Sequence, residues 1–198
     1  DPGLVYERVR WRHRKGRKDD ALLLFWDIPP HREFRAPWWN ERSRQVRYAL
    51  DSGRHEDAYL LAASHIQRAG ANFAEAQWHA GWIALRYREK PDEAARYFTA
   101  LHAAVKTPIS RARAAYWAGR AREVSGGATA ARRWFALAAE HHTTFYGQLA
   151  AAKIPSSIAR LPSTPTPSAA IRTSPETRDL VNSATALGEI GQDKLAKL

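Results

Sequence analysis

A chain of 198 residues with 31 Lys plus Arg against 20 Asp plus Glu carries a net charge of +11, which directs attention to polyanionic partners: nucleic acid, an anionic membrane surface or an acidic wall polymer. The absence of cysteine excludes disulfides and thiolate zinc sites. No apolar run approaches the ~18 residues of a membrane span, and the length suits one sizeable domain or one with an appendage.

In chain order, the first feature is a basic cluster. Arg8, Arg10, Arg12, Arg14, Lys15, Arg17 and Lys18 fall among Val5, Val9 and Trp11. Such a run reads as a solvated helix face, and its charge density makes Arg10, Arg14 and Arg17 the candidates for holding an anionic polymer. The apolar LLLF at Leu22–Phe25 is the single strand-like signal, and it reads better as the continuation of a helix beginning near Asp19.

From there on the apolar and small residues keep the i, i+3, i+4, i+7 spacing of a buried helical face. The sets are Ala58, Leu61, Ala62, Ile66; then Trp78, Gly81, Trp82, Leu85; then Ala94, Tyr97, Phe98, Leu101; then Ala112, Ala115, Tyr116, Gly119; then Ala131, Trp134, Phe135, Ala138. Gly53, Pro91 and the pair Gly126-Gly127 bound these helices. Ala58, Ala94 and Ala131 stand 36 and 37 residues apart, and Gly81 and Gly119 stand 38 apart. A period in the mid-thirties, with small residues at a crossing point and rings beside it, predicts an all-α fold of stacked helical hairpins, TPR-like, curving into a superhelix.

The segment PISRARAAYWAGRARE combines Arg111, Arg113, Arg120 and Arg122 with two rings and invites comparison with a nucleic-acid groove. With Ser110 as the expected N-cap, Ala112, Ala115, Tyr116 and Gly119 share one face, so the aromatic is core and the arginines are rim. The rings that base stacking would need are already used.

Between Pro155 and Pro175 lie five of the eleven prolines, a composition that predicts an extended linker. Residues 1–154 are then the repeat body, 155–175 the linker and 176–198 a further hairpin, with Leu180, Ala184 and Leu187 aligned, a turn at Gly191, and Leu195-Ala196 opening a second helix. The uncovered apolar face of that hairpin, the lack of methionine and the opening DPGLVYERV lead to the expectation of an internal piece of a longer protein, with any signal peptide upstream.

Little else in the sequence suits chemistry. His55-Glu56 opens an H-E-x-x pattern that ends on Tyr59, so the second zincin histidine is missing. His141 and His142 are adjacent and suit a helix C-terminus better than a shared metal. The acidic pairs Asp19-Asp20, Glu56-Asp57 and Asp92-Glu93 fall where first helical turns favour negative charge. No catalytic, metal or cofactor residue is assigned.

Three stretches in order resemble one family: Trp38-Trp39 followed by NERSRQVRYALDSG, then EAQWHAGWIALR from Glu75 to Arg86, then PISRARAAYWAGRA with AARRWFALAA and TTFYGQLAA behind it. Together they are similar to the helical superhelix of soluble lytic murein transglycosylases. The resemblance implies a bacterial periplasmic enzyme that cleaves the β-1,4 bond between N-acetylmuramic acid and N-acetylglucosamine without water, leaving a 1,6-anhydro ring. It implies peptidoglycan glycan strands as ligand and cell-wall synthesis or remodelling proteins as further partners. In that family a glutamate in a Glu-Ser motif of a lysozyme-like domain is the acid and base, yet none of the eleven glutamates here precedes Ser. The expectation is therefore a non-catalytic superhelical region, inactive alone. The alternatives are a free-standing TPR-like adaptor for proteins and, behind it, a basic nucleic-acid-binding helical protein.

Overall fold

Among the described residues, helix-starting residues and short polar breaks mark out ten helices and no strand. The computed structural model describes residues 1–26, 35–154, 168 and 174–192, without the side chains of residues 35 and 36. The helices are α1 (Pro2–Arg14), α2 (Lys18–Trp26), α3 (Arg35–Asp51), α4 (His55–Ala63), α5 (Gly70–Arg86), α6 (Pro91–Ala104), α7 (Pro108–Val124), α8 (Ala128–Ala139), α9 (Phe145–Ala151) and α10 (Pro175–Glu189). The Cα atoms group into two units, Asp1–Ala159 and Arg160–Leu198.

Local chemistry accounts for most boundaries. Asp1 caps α1 through its carboxylate, Thr107 caps α7 and Thr144 caps α9, each accepting from backbone N–H groups that the first turn leaves unpaired. Proline at N1 opens α6 and α7, where its missing N–H costs nothing. Gly53 and Gly126, with φ of 72° and 80°, turn the chain after α3 and α7 in a conformation that side chains resist. Leu22–Phe25 lies inside α2, as the sequence suggests. Two expectations move. The cap of α7 is Thr107, and Ser110 is the residue whose N–H that cap accepts, because Pro108 already opens the helix. Ile66 falls in the loop beyond α4, which ends at Ala63.

In the first unit each helix packs on the next, and each odd-numbered helix from α1 to α9 also touches the following odd-numbered one. The even helices α2, α4, α6 and α8 begin at residues 18, 55, 91 and 128, that is 37, 36 and 37 apart. Ala58, Ala94 and Ala131 are all buried at equivalent points of α4, α6 and α8. Where α5 meets α6, a Cβ on Gly81 would lie 3.0 Å from the Phe98 ring; where α7 meets α8, one on Gly119 would lie 2.7 Å from the Phe135 ring. The missing side chain in one helix is the seat for the ring of the next. Tyr116 is buried against Phe135 and Tyr146, which bears out its reading as core.

Charges repeat with the hairpins. Asp19, Glu56 and Asp92, in first turns of α2, α4 and α6 or beside them, pair with Arg54 at 2.7 Å, Arg88 at 2.9 Å and Arg122 at 2.8 Å, each arginine lying just ahead of the next even helix. All six side chains keep solvent contact, so each pair contributes about 0–1 kcal/mol. Their use is in register, since each ties one hairpin to the next.

In the second unit, α10 is capped by Ser174 and begins at Pro175, one residue ahead of the predicted start, and the chain turns at Gly191 as expected. Its Leu180 and Val181 are exposed, as is Ile190 behind it. Most of the predicted linker, and Leu195-Ala196, lie outside the described residues.

Candidate functional site

The basic surface of the first unit begins where α1 packs on α3. His13, on the last turn of α1, faces α3 with both ring nitrogens: Nδ1 is 2.6 Å from Glu41 Oε2 and Nε2 is 2.8 Å from Gln45 Oε1. Gln45 Nε2 in turn donates to the Lys18 carbonyl at 3.0 Å, which orients its amide with oxygen toward the ring. Glu41 and Gln45 thus set one oxygen against each ring nitrogen of His13. Glu41 is 3% exposed, and Arg44 donates to both of its oxygens at 3.2 and 3.3 Å. A buried pair of this kind orients the two helices at a desolvation cost.

Above this network two clefts, of about 460 and 430 Å³, share Arg14 and Arg44. The larger adds Lys18, Arg47, Tyr48 and Asp51. Arg14 makes no ion pair or hydrogen bond among the described residues, and Lys18 makes no ion pair but lies 5.0 Å from the Tyr48 ring centroid. These are the cations with charge to spare.

The three arginines singled out from sequence therefore separate. Arg10 and Arg14 line the smaller cleft together. Arg10 is held by Glu7 at 2.9 Å, and that hydrogen bond and charge raise its pKa above the ordinary guanidinium value. Arg17 lines neither cleft; it is bonded to Asp20 at 2.6 Å and lies over Trp11. Sequence reasoning misses Arg44 and Arg47, because arginines spaced three apart on NERSRQVRYALDSG read as ordinary helix surface. The signal in that stretch is a second basic row, and only packing brings it beside the first.

Arg47 carries the surface onward. It donates to Glu75 of α5 at 3.0 Å, and Trp39 Nε1 donates to the other oxygen of Glu75 at 2.8 Å. Glu75 borders a further cleft, of about 380 Å³, between α5 and α7, with Trp78, His79, Ser110 and Arg113. Arg113 is thus not rim alone: its guanidinium carbon stands 5.4 Å from the Trp78 ring centroid, within cation–π range. Burial holds His79 below the ordinary imidazole range, and the charges of Arg47 and Arg113 push the same way, against the carbonyl and carboxylate of Glu75.

Among the described residues no three histidines, cysteines or carboxylates are placed to hold a metal, and no helix is long and apolar enough to cross a membrane. His141 and His142 occupy the turn between α8 and α9. Comparison with protein-family models, with curated proteins and with solved structures found no match for this chain.

Proposed function

We propose that the first unit is a TPR-like stack of hairpins that holds an acidic polymer along its odd-numbered helices, as the non-catalytic superhelical region of a soluble lytic murein transglycosylase. The observation that carries the proposal is the α1–α3 cleft, where Arg14 and Lys18 stand without carboxylate partners beside Arg44 and Arg47. The even-helix period, the Gly–Phe seats and the contacts between successive odd helices support the stacked-hairpin part of this reading. Peptidoglycan fits the charge, because its peptides carry carboxylates and its glycan strands are long enough to span several helices. On this reading the setting is the bacterial periplasm, and cell-wall remodelling proteins are natural neighbours.

The test is cosedimentation with purified sacculi. Wild-type protein should pellet with sacculi, should be released as salt rises, and should release no 1,6-anhydro muropeptides. Changing Arg14 and Lys18 to Ser together should weaken binding and flatten the salt dependence, as losing two phosphate- or carboxylate-directed cations does. Changing Arg10 and Arg17 to Ser should do much less, since Glu7 and Asp20 already occupy them. Binding that ignores both salt and the Arg14/Lys18 pair would sink the reading. A nucleic-acid backbone could occupy the same cations, so duplex DNA is included as competitor; complete displacement of sacculi by DNA at equal charge would favour that alternative.

A further inference from the structure

The cleft between α5 and α7 leaves strong hydrogen-bonding groups unused. Arg113 makes no ion pair or hydrogen bond among the described residues, and its Nε is shielded from solvent with no acceptor. The cleft's single carboxylate, Glu75, does not serve it, being engaged by Trp39 and Arg47. A guanidinium lying over an indole, with its planar fork free, is pre-organised to take a carboxylate bidentately.

Across the cleft His79 offers the opposite kind of group. Its Nδ1 donates to the Glu75 carbonyl at 2.9 Å, which leaves Nε2 of the neutral ring as an acceptor. Burial keeps the ring in that neutral form. The remaining lining comes from Ala71, Ala74 and the Trp78 ring, and Ser110 adds a hydroxyl. A cation for a carboxylate, an acceptor for an N–H and an apolar wall together describe one chemical fragment.

We propose that this cleft binds the C-terminal end of a short peptide, with the terminal carboxylate on Arg113, the adjoining amide N–H on His79 Nε2 and a small apolar side chain against Ala71, Ala74 and Trp78. The site goes beyond polymer binding at α1 and α3 and uses none of those residues, so it stands if sacculus binding fails. Longer terminal side chains meet Trp78 and are disfavoured.

The experiment uses the full chain, labelled with nitrogen-15, titrated with N-acetyl-alanyl-alanine as the free acid and, separately, as its C-terminal carboxamide. The acid should bind with a Kd of about 1 mM or tighter and at least about tenfold better than the carboxamide. Its resonance shifts should centre on the indole N–H of Trp78 and on α5 and α7. Arg113→Gln should bring the acid down to the level of the carboxamide, while His79→Phe should weaken acid and carboxamide alike. Equal affinity for the two ligands, shifts centred on α1 and α3, or no binding of the acid at about 10 mM would each overturn the proposal. The ligand pair needs no variant, so misfolding of Arg113→Gln does not decide it.

Discussion

Where α1 meets α3, the buried contact is polar, with His13 between Glu41 and Gln45; where α5 meets α6 and α7 meets α8, a phenylalanine ring lies on a glycine. Arg42 extends the polar contacts to the next helix. It reaches from α3 to the Leu61 carbonyl and Ser64 Oγ beyond α4, and burial pushes its guanidinium down to about 10. One architecture thus holds its hairpins together in two ways. The apolar seats draw on ring burial and depend on side-chain volume, whereas the polar junction draws on orientation and depends on every partner being present. The two clefts that share Arg14 and Arg44 lie over the polar junction.

The largest effect expected is at an apolar seat. Phe98 is fully buried on Gly81, so Phe98→Ala should cost about 3–5 kcal/mol in urea unfolding, from lost transfer energy and the cavity left behind. A loss under about 1 kcal/mol would mean that the seat is not a principal contact.

The polar junction should respond differently to single and paired changes. Glu41→Ala alone leaves His13 Nδ1 without its partner in a buried site and should cost about 3 kcal/mol. Changing His13 and Glu41 together to Leu should recover part of that loss, because both members of the buried pair are then replaced by apolar groups. If the double variant is as unstable as the single, the pair contributes attraction rather than orientation, and the contrast between the regions disappears.

Size sensitivity separates the two seats themselves. Alanine at Gly119 brings a Cβ to 2.7 Å of the Phe135 ring, against 3.0 Å for Gly81 and Phe98. Overpacking at 119 should outweigh the gain of about 1 kcal/mol in helix propensity and leave a net loss near 1 kcal/mol, with Gly81→Ala closer to neutral. The reverse order in thermal unfolding would show that Phe135 moves more freely than Phe98.

The smallest effect is with pH. His65 and His79 are held below the ordinary imidazole value of 6.5, in both cases by burial first. The unfolded chain therefore binds these protons more readily, so their contribution to stability is complete above pH 6.5 and is lost as pH falls below it toward the folded pKa. Tm should decline from pH 7 to pH 5, and His79→Phe should reduce the slope. An unchanged slope in that variant would place the sensitivity elsewhere.

Much of the architecture is legible without any tertiary contact, and the site much less so. The buried faces around Ala94, Tyr116 and Ala131 follow from 3.6-residue spacing, which a helix imposes on its own neighbours. Ile66 misleads because its spacing matches although the helix has already ended. Charge density points to Arg14, but it points equally to Arg10 and Arg17, and only Glu7 and Asp20 in place tell them apart.

The sequence by itself determined the helices and their period of about three dozen residues, because spacing, caps and turn residues act within a few residues of the chain. Tertiary structure alone decided which polar groups are buried and which cations stay unpaired. His13 reaches Glu41 across 28 residues, and Arg113 reaches Trp78 from another hairpin. No local rule couples such positions; helix packing brings them within bonding distance and removes the water that would otherwise serve them.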